Sequence, residues 1–164
     1  MAKWISPAQP GAKPQETLVF SAWIHVDLSA IEKNLQVIQQ KSQAQILPIV
    51  KGNAYGHGAP VIAAFLRNRG CSLVGVGSLE EALDILRFAK MQILVLTPVL
   101  YEQLKYVVKH ELHVTVTTPQ QVLDLAKLAQ IRRKRITVHI KVDTGFGRLG
   151  STPQDFPQLA QLVQ

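Results

Sequence analysis

A lysine directly follows an aliphatic run in Val50-Lys51-Gly52-Asn53-Ala54-Tyr55-Gly56-His57-Gly58. Its ε-amino group is expected at the mouth of a sheet, where burial disfavours the ammonium form and lowers a lysine's pKa. A partly neutral lysine is a nucleophile toward a carbonyl and forms a Schiff base. The three glycines that follow let the backbone approach a ligand, and Tyr55 adds a hydroxyl donor. Loop amides leading into a helix N-terminus make a natural seat for a phosphate. A Schiff-base lysine beside a phosphate seat points to pyridoxal 5'-phosphate; an ordinary polar strand end is the plainer alternative.

A second candidate is Val138-His139-Ile140-Lys141-Val142-Asp143-Thr144-Gly145-Phe146-Gly147-Arg148-Leu149-Gly150. It contains G-x-G-x-x-G after a strand, formally the dinucleotide fingerprint. That fingerprint opens its fold and is followed about 20 residues later by a ribose-binding acid. Here it falls on the last strand, with the bulky Arg148 in the turn, so a nicotinamide site is not expected. Lys141, Asp143 and Arg148 instead form a charged cluster that suits an anion or a polarised ring oxygen, with a salt-bridged strand end as the alternative. His139 shares a strand face with Lys141, pointing toward the interior if the sheet is a barrel.

The remaining polar residues offer less. His25, His110 and His113 have no metal-ligand spacing, and no metal site is expected; His25 reads as a core histidine, and His57 as a ligand contact or a helix cap. No Ser-His-Asp order and no carboxylate pair stands out. Cys71 is the single cysteine, which excludes an intramolecular disulfide framework and fits a reduced cytoplasmic thiol. The net charge of +7 is scattered apart from Arg132-Arg133-Lys134-Arg135. That run has no interleaved aromatics for stacking on nucleic acid and reads as a solvated turn, so neither a nucleic-acid nor a membrane partner is expected. No apolar run approaches the roughly 18 residues of a membrane span, and the N-terminus lacks the apolar stretch of a secretory signal.

These residues need elements to hold them. Residues 1–22, with Pro7, Pro10 and Pro14, read as a flexible leader. From residue 23 strands and helices alternate. Strands are expected at Trp23–Asp27, Ile46–Val50, Ser72–Val76, Ile93–Leu96, His113–Val116 and Ile136–Val142. Between them the spacing predicts helices from Ser29 to Lys41, His57 to Arg69, Ser78 to Lys90, Leu100 to Lys109 and Thr118 to Gln130, with a last one from Pro153. Ser29 with Glu32 and Ser78 with Glu81 have the spacing of capping boxes, and Gly70 sits where a helix C-cap is expected. Near-continuous apolar strands joined by helices imply a parallel α/β sheet, either doubly wound or a (β/α)8 barrel of which about six strand–helix units are present. Chemistry is expected at the C-terminal ends of the strands in both.

Together, VKGNAYGHG and KVDTGFGRLG resemble the two signature motifs of the alanine racemase family, in the right order and separation. WIHVDLSAIEKNL and SLEEALDIL also fit its pattern, so the resemblance covers about residues 23–164. Gly52-Asn53 in place of the commoner Ala-Asp is a mild departure. The resemblance implies a TIM-barrel-type domain, partial at 23–164, that binds pyridoxal 5'-phosphate and lacks the family's C-terminal β-domain. It also implies interconversion of L- and D-alanine for peptidoglycan by a cytoplasmic homodimer, with a racemase of serine or of broad specificity as the alternative. Lys51 would carry the cofactor and act as base, Tyr55 would bind its phosphate, and Arg148 would contact its phenolic oxygen and the substrate carboxylate. Lys141 would be the lysine that is often carbamylated. The opposing acid, a tyrosine, comes in the family from the partner's C-terminal domain. The chain is therefore expected to be a truncated form, inactive or nearly so, with a non-catalytic cofactor-binding or inert fragment as the other possibility.

Overall fold

Four aliphatic runs pair in the order in which they occur along the chain. The computed structural model describes residues 24–163; the expected leader at 1–22 lies outside the described residues, as do Trp23 and Gln164. Helix α1 (Leu28–Ser42) comes first, then α2 (Lys51–Tyr55), which is a single tight turn, and α3 (Ala59–Arg67). Strand and helix then alternate as β1 (Leu73–Val76), α4 (Leu79–Leu86), β2 (Gln92–Val95), α5 (Leu104–His110) after a 3-10 turn, β3 (His113–Val116), α6 (Pro119–Ile131), β4 (Val138–Ile140) and α7 (Phe156–Leu162).

The sheet order is β1-β2-β3-β4 and all its pairs are parallel. A doubly wound sheet reverses its order at a switch point, and this one does not. The sequential order is that of a TIM-type barrel, seen here as part of its circuit. Ser78 and Thr118 cap α4 and α6 with their side-chain oxygens, as the sequence suggested. Gly70 takes the left-handed conformation after α3 (φ 89°).

Two expected strands are not formed. Of Trp23–Asp27, the described residues 24–27 are irregular, because Asp27 already belongs to the helix start. Its Oδ1 accepts from Ser29 N at 2.8 Å and Ala30 N at 3.2 Å, and Ser29 itself donates its hydroxyl to Asp27 instead of capping. Ile46–Val50 is reduced to one parallel bridge between Ile49 and Gly75. Pro48 has no N–H to donate to a ladder, although its carbonyl accepts from Gly75 N at 2.8 Å. The expected strand Ile136–Val142 shortens to β4, with a further isolated bridge from Val142 to Ser151.

The strand faces divide cleanly. Val74, Val76, Ile93, Val95, Val114 and Val116 are buried in one cluster with Ile62, Leu66, Ala82, Ile85, Val107 and Leu125 of the helices. Each such aliphatic side chain contributes about 1.5–3 kcal/mol relative to exposure. The opposite face carries Ile49, Gly75, Leu94 and His113 across one row of the register, and Thr115 beside His139 two residues further on. A Cβ at Gly75 would lie 2.6 Å from Ile49 Cδ1 and 3.3 Å from Leu96 Cδ1. This face leads up to the C-terminal strand ends, where the candidate residues sit.

Candidate active site

Lys51 begins a turn that winds left-handed. Gly52, Asn53, Ala54 and Tyr55 have φ values of 61°, 54°, 54° and 53°. Left-handed helical geometry costs L-residues roughly 1–2 kcal/mol each, so Asn53, Ala54 and Tyr55 hold it only because their surroundings impose it. Those surroundings are specific. The turn closes with Ala54 N donating to Val50 O at 2.7 Å and Gly56 N to Gly52 O at 2.9 Å. Glu81, on α4, accepts from Gly52 N at 2.5 Å and Asn53 N at 3.4 Å through Oε1, and from Gly77 N at 2.7 Å through Oε2. Asn53 Oδ1 accepts from Ala59 N at 2.8 Å, joining the turn to the start of α3.

These bonds correct two expectations. Lys51 is exposed, not buried. The glycine-rich amides are not a vacant phosphate seat: Gly52 and Asn53 donate to Glu81, Gly56 and Gly58 to carbonyls of the turn, and His57 to Ala54 O. A ring nitrogen of His57 also meets Ala54 O, at 2.8 Å, so its partner is the turn itself. What the loop presents outward is the amine of Lys51 and the ring of Tyr55, 64% exposed. Lys51 Cβ stands 3.5 Å from where a side chain on Gly77 would begin, so the lysine stem crosses the end of β1.

The second loop holds itself. Asp143 Oδ1 accepts from Gly145 N at 2.9 Å and Gly147 N at 3.1 Å. These amides, Gly145 first, hold its carboxyl below the usual carboxylate range. Asp143 N donates to Ser151 O at 2.9 Å and Ser151 N to Lys141 O at 2.8 Å. No helix follows Gly150 directly, since α7 starts at Phe156, whereas the dinucleotide fingerprint opens a helix. The expected cluster of Lys141, Asp143 and Arg148 is not an ion-pair cluster. Asp143 is engaged by backbone, Arg148 lies over the Phe146 ring at 4.5 Å, and both Lys141 and Arg148 are exposed. Among the described residues, no hydrogen bond or ion pair joins the side chains of Lys51, Tyr55, Lys141 and Arg148.

Below this loop two histidines far apart in sequence meet diagonally across the β3–β4 pair, since the register sets His139 beside Thr115, two residues on from His113. His113 Nδ1 and His139 Nε2 are 3.2 Å apart. Burial, and secondarily the charge of His139, hold the His113 pKa below its ordinary 6.5. Among the described residues no group of three or more His, Cys, Asp or Glu could hold a metal ion. In the basic run Arg132 and Arg133 form the turn after α6, while Lys134 bonds Glu111 at 2.7 Å and Lys109 O at 3.1 Å. Among the described residues no helix is long and apolar enough to cross a membrane.

The family model described as alanine racemase, N-terminal domain, matches residues 26–164. "Alanine racemase 1" of Caldanaerobacter subterraneus subsp. tengcongensis is 38% identical over 138 residues, covering 82% of this chain and 36% of the relative. Two solved structures superpose well. An alanine racemase from Bartonella henselae with covalently bound pyridoxal phosphate has a TM-score of 0.73 at 27% identity, covering 83% of this chain and 39% of that one. A histidine racemase from Leuconostoc mesenteroides subsp. sake has a TM-score of 0.76 at 26% identity, covering 83% and 37%. The chain spans well under half the length of the curated relatives it matches.

Proposed function

The chain belongs to the alanine racemase family through its match to the N-terminal domain, and from that premise we propose that it carries the lysine side of a pyridoxal-phosphate-dependent amino-acid racemase site, with alanine as substrate. The observation that supports this most is the turn at Lys51. A primary amine stands at the C-terminal end of a parallel sheet, on a left-handed turn fastened by Glu81. Strain of this kind persists where the surrounding structure over-determines it, and it gathers at functional sites.

The donors suit an anionic cofactor. Lys51 offers an amine for the aldehyde, Tyr55 a hydroxyl for the phosphate, and Arg148 a guanidinium for the phenolic oxygen and for the substrate carboxylate. Arg148 makes no ion pair with a carboxylate among the described residues, which leaves its fork open for bidentate binding. When bound, the cofactor supplies an electron sink that acidifies the substrate Cα–H. Lys51 Nζ would hold the cofactor through its aldehyde and would serve as the base that moves the proton at Cα on one face. Lys141 would form a carbamate with carbon dioxide, a new N–C bond replacing an N–H whose proton goes to solvent, and the anionic carbamate would orient Arg148. Reprotonation from the opposite face would fall to the tyrosine that the family supplies from the partner's C-terminal domain. The full-length enzyme would then be a cytoplasmic homodimer that feeds D-alanine to peptidoglycan, and residues 1–164 alone would racemise alanine weakly or not at all. The histidine racemase neighbour favours a second reading, a racemase of another amino acid such as serine or of broad specificity; a panel of L-amino acids separates the two.

Titration of the protein with pyridoxal phosphate tests the first step. The imine absorbance is expected to appear in the wild type, vanish in Lys51→Ala and weaken in Tyr55→Phe. A band that survives Lys51→Ala overturns the assignment.

A further inference from the structure

We propose that Glu81 is a positioning residue for Lys51, acting through the backbone of the turn and not by touching the lysine amine. The inference rests on the role proposed for Lys51. A capping-box glutamate returns its carboxylate to the backbone N–H of its own N-cap, which here is Ser78. Glu81 does otherwise. Its amide takes the cap from Ser78 Oγ at 3.3 Å, while its carboxylate leaves the helix and divides between the Lys51 turn and the end of β1. Oε1 receives Gly52 and Asn53, 29 and 28 residues away in sequence, and Oε2 receives Gly77.

The consequences follow from the chemistry of the group. Consecutive N–H donors in left-handed geometry form a concavity that selects an anion, and Glu81 is the anion that fills this one. A bond to a charged acceptor is about twice as strong as a neutral one, and it opposes the cost of the left-handed turn. Gly77 leaves the space for this arrangement, since a Cβ there would come within 3.3 Å of Glu81 Oε2 and 3.5 Å of Lys51 Cβ. The start of α4 thereby sets where the stem of Lys51 emerges. Glutamine in its place could accept through one oxygen only and would turn an NH2 toward an N–H. Aspartate keeps the charge but falls one methylene short. Either change releases one end of the clamp.

The test uses the chain with limiting pyridoxal phosphate, trapped by borohydride and mapped by peptide. Wild type, Glu81→Gln and Glu81→Asp are compared, with Glu80→Gln as the neighbour control; Glu80 accepts from Gln103 and does not reach the turn. Labelling of Lys51 is expected to fall roughly tenfold in both Glu81 variants, the scale of a lost hydrogen bond to a charged group, and to hold in Glu80→Gln. Amide exchange should accelerate at Gly52 and Gly77 while the core amide of Val95 stays protected. Labelling near the wild-type level despite faster exchange at Gly52 overturns the proposal. So does a loss of labelling accompanied by faster exchange at Val95, which assigns Glu81 to general stability. If wild-type labelling misses Lys51 altogether, the role of Lys51 is what fails, and the exchange data still report whether the clamp exists.

Discussion

The loop after Val50 and the loop after Ile140 share glycines and basic side chains, yet one is fastened from outside and the other from within. The first is held in left-handed geometry by Glu81 of the next strand–helix unit. The second is folded by Asp143, which accepts from amides two and four residues away. A turn with three non-glycine residues at positive φ needs tertiary support, whereas an Asx-type loop forms from local sequence. The difference suits the proposed roles. In the proposed reading the turn would fix the stem of Lys51 before a ligand arrives, while Arg148, exposed over Phe146, would be left to bind one.

Three changes probe this contrast. The largest effect is expected in the self-made loop. At Gly150, where φ is 146°, an added Cβ would strike the backbone of Val142 and Asp143. Gly150→Ala should cost on the order of 3 kcal/mol, read as a lower urea midpoint with the Lys51 loop amides unaffected; an unchanged midpoint would show that this loop is not fixed as described. Next comes Asn53→Ala in the clamped loop. It removes the acceptor for Ala59 N and places alanine where asparagine tolerates the left-handed region. A loss of about 1–2 kcal/mol is expected, and equal stability would mean that the turn needs no such fastening.

The smallest effect is set by pH. Burial holds the His113 pKa below 6.5 in the folded chain, so near and just below that pH the unfolded state binds more protons. The stability associated with neutral His113 is complete above 6.5 and is lost as pH falls through the lower folded value. Melting curves of the wild type should drop across that window, and His113→Gln should flatten the drop. Equal slopes would show that the histidine pair has no part in it.

The sequence made some of this plain and hid the rest for identifiable reasons. Val74–Val76 and Val114–Val116 announce buried strands, and Ser78 and Thr118 announce helix starts, because those signals are local. Ile46–Val50 reads as a strand by its aliphatic content, but a ladder needs donors, and Pro48 withholds one. Asp27 outcompetes Ser29 as a cap because a carboxylate accepts from several groups at once. The two motifs mark Lys51, Tyr55, Lys141 and Arg148 as candidates, and the structure leaves all four residues exposed. Glu81 reads in the sequence only as a capping residue, since its reach to Gly52 depends on how the segment before Lys51 lies along β1 through the Ile49–Gly75 bridge. The His113–His139 contact likewise requires the β3–β4 register, which pairs Thr115 with His139.

The central claim is tested most directly on the protein loaded with pyridoxal phosphate, reduced with borohydride and digested for peptide mapping. A single pyridoxyl group on the Nζ of Lys51 is the expected result. A label on Lys141, or one spread over the surface lysines with residue 51 unmodified, would contradict it.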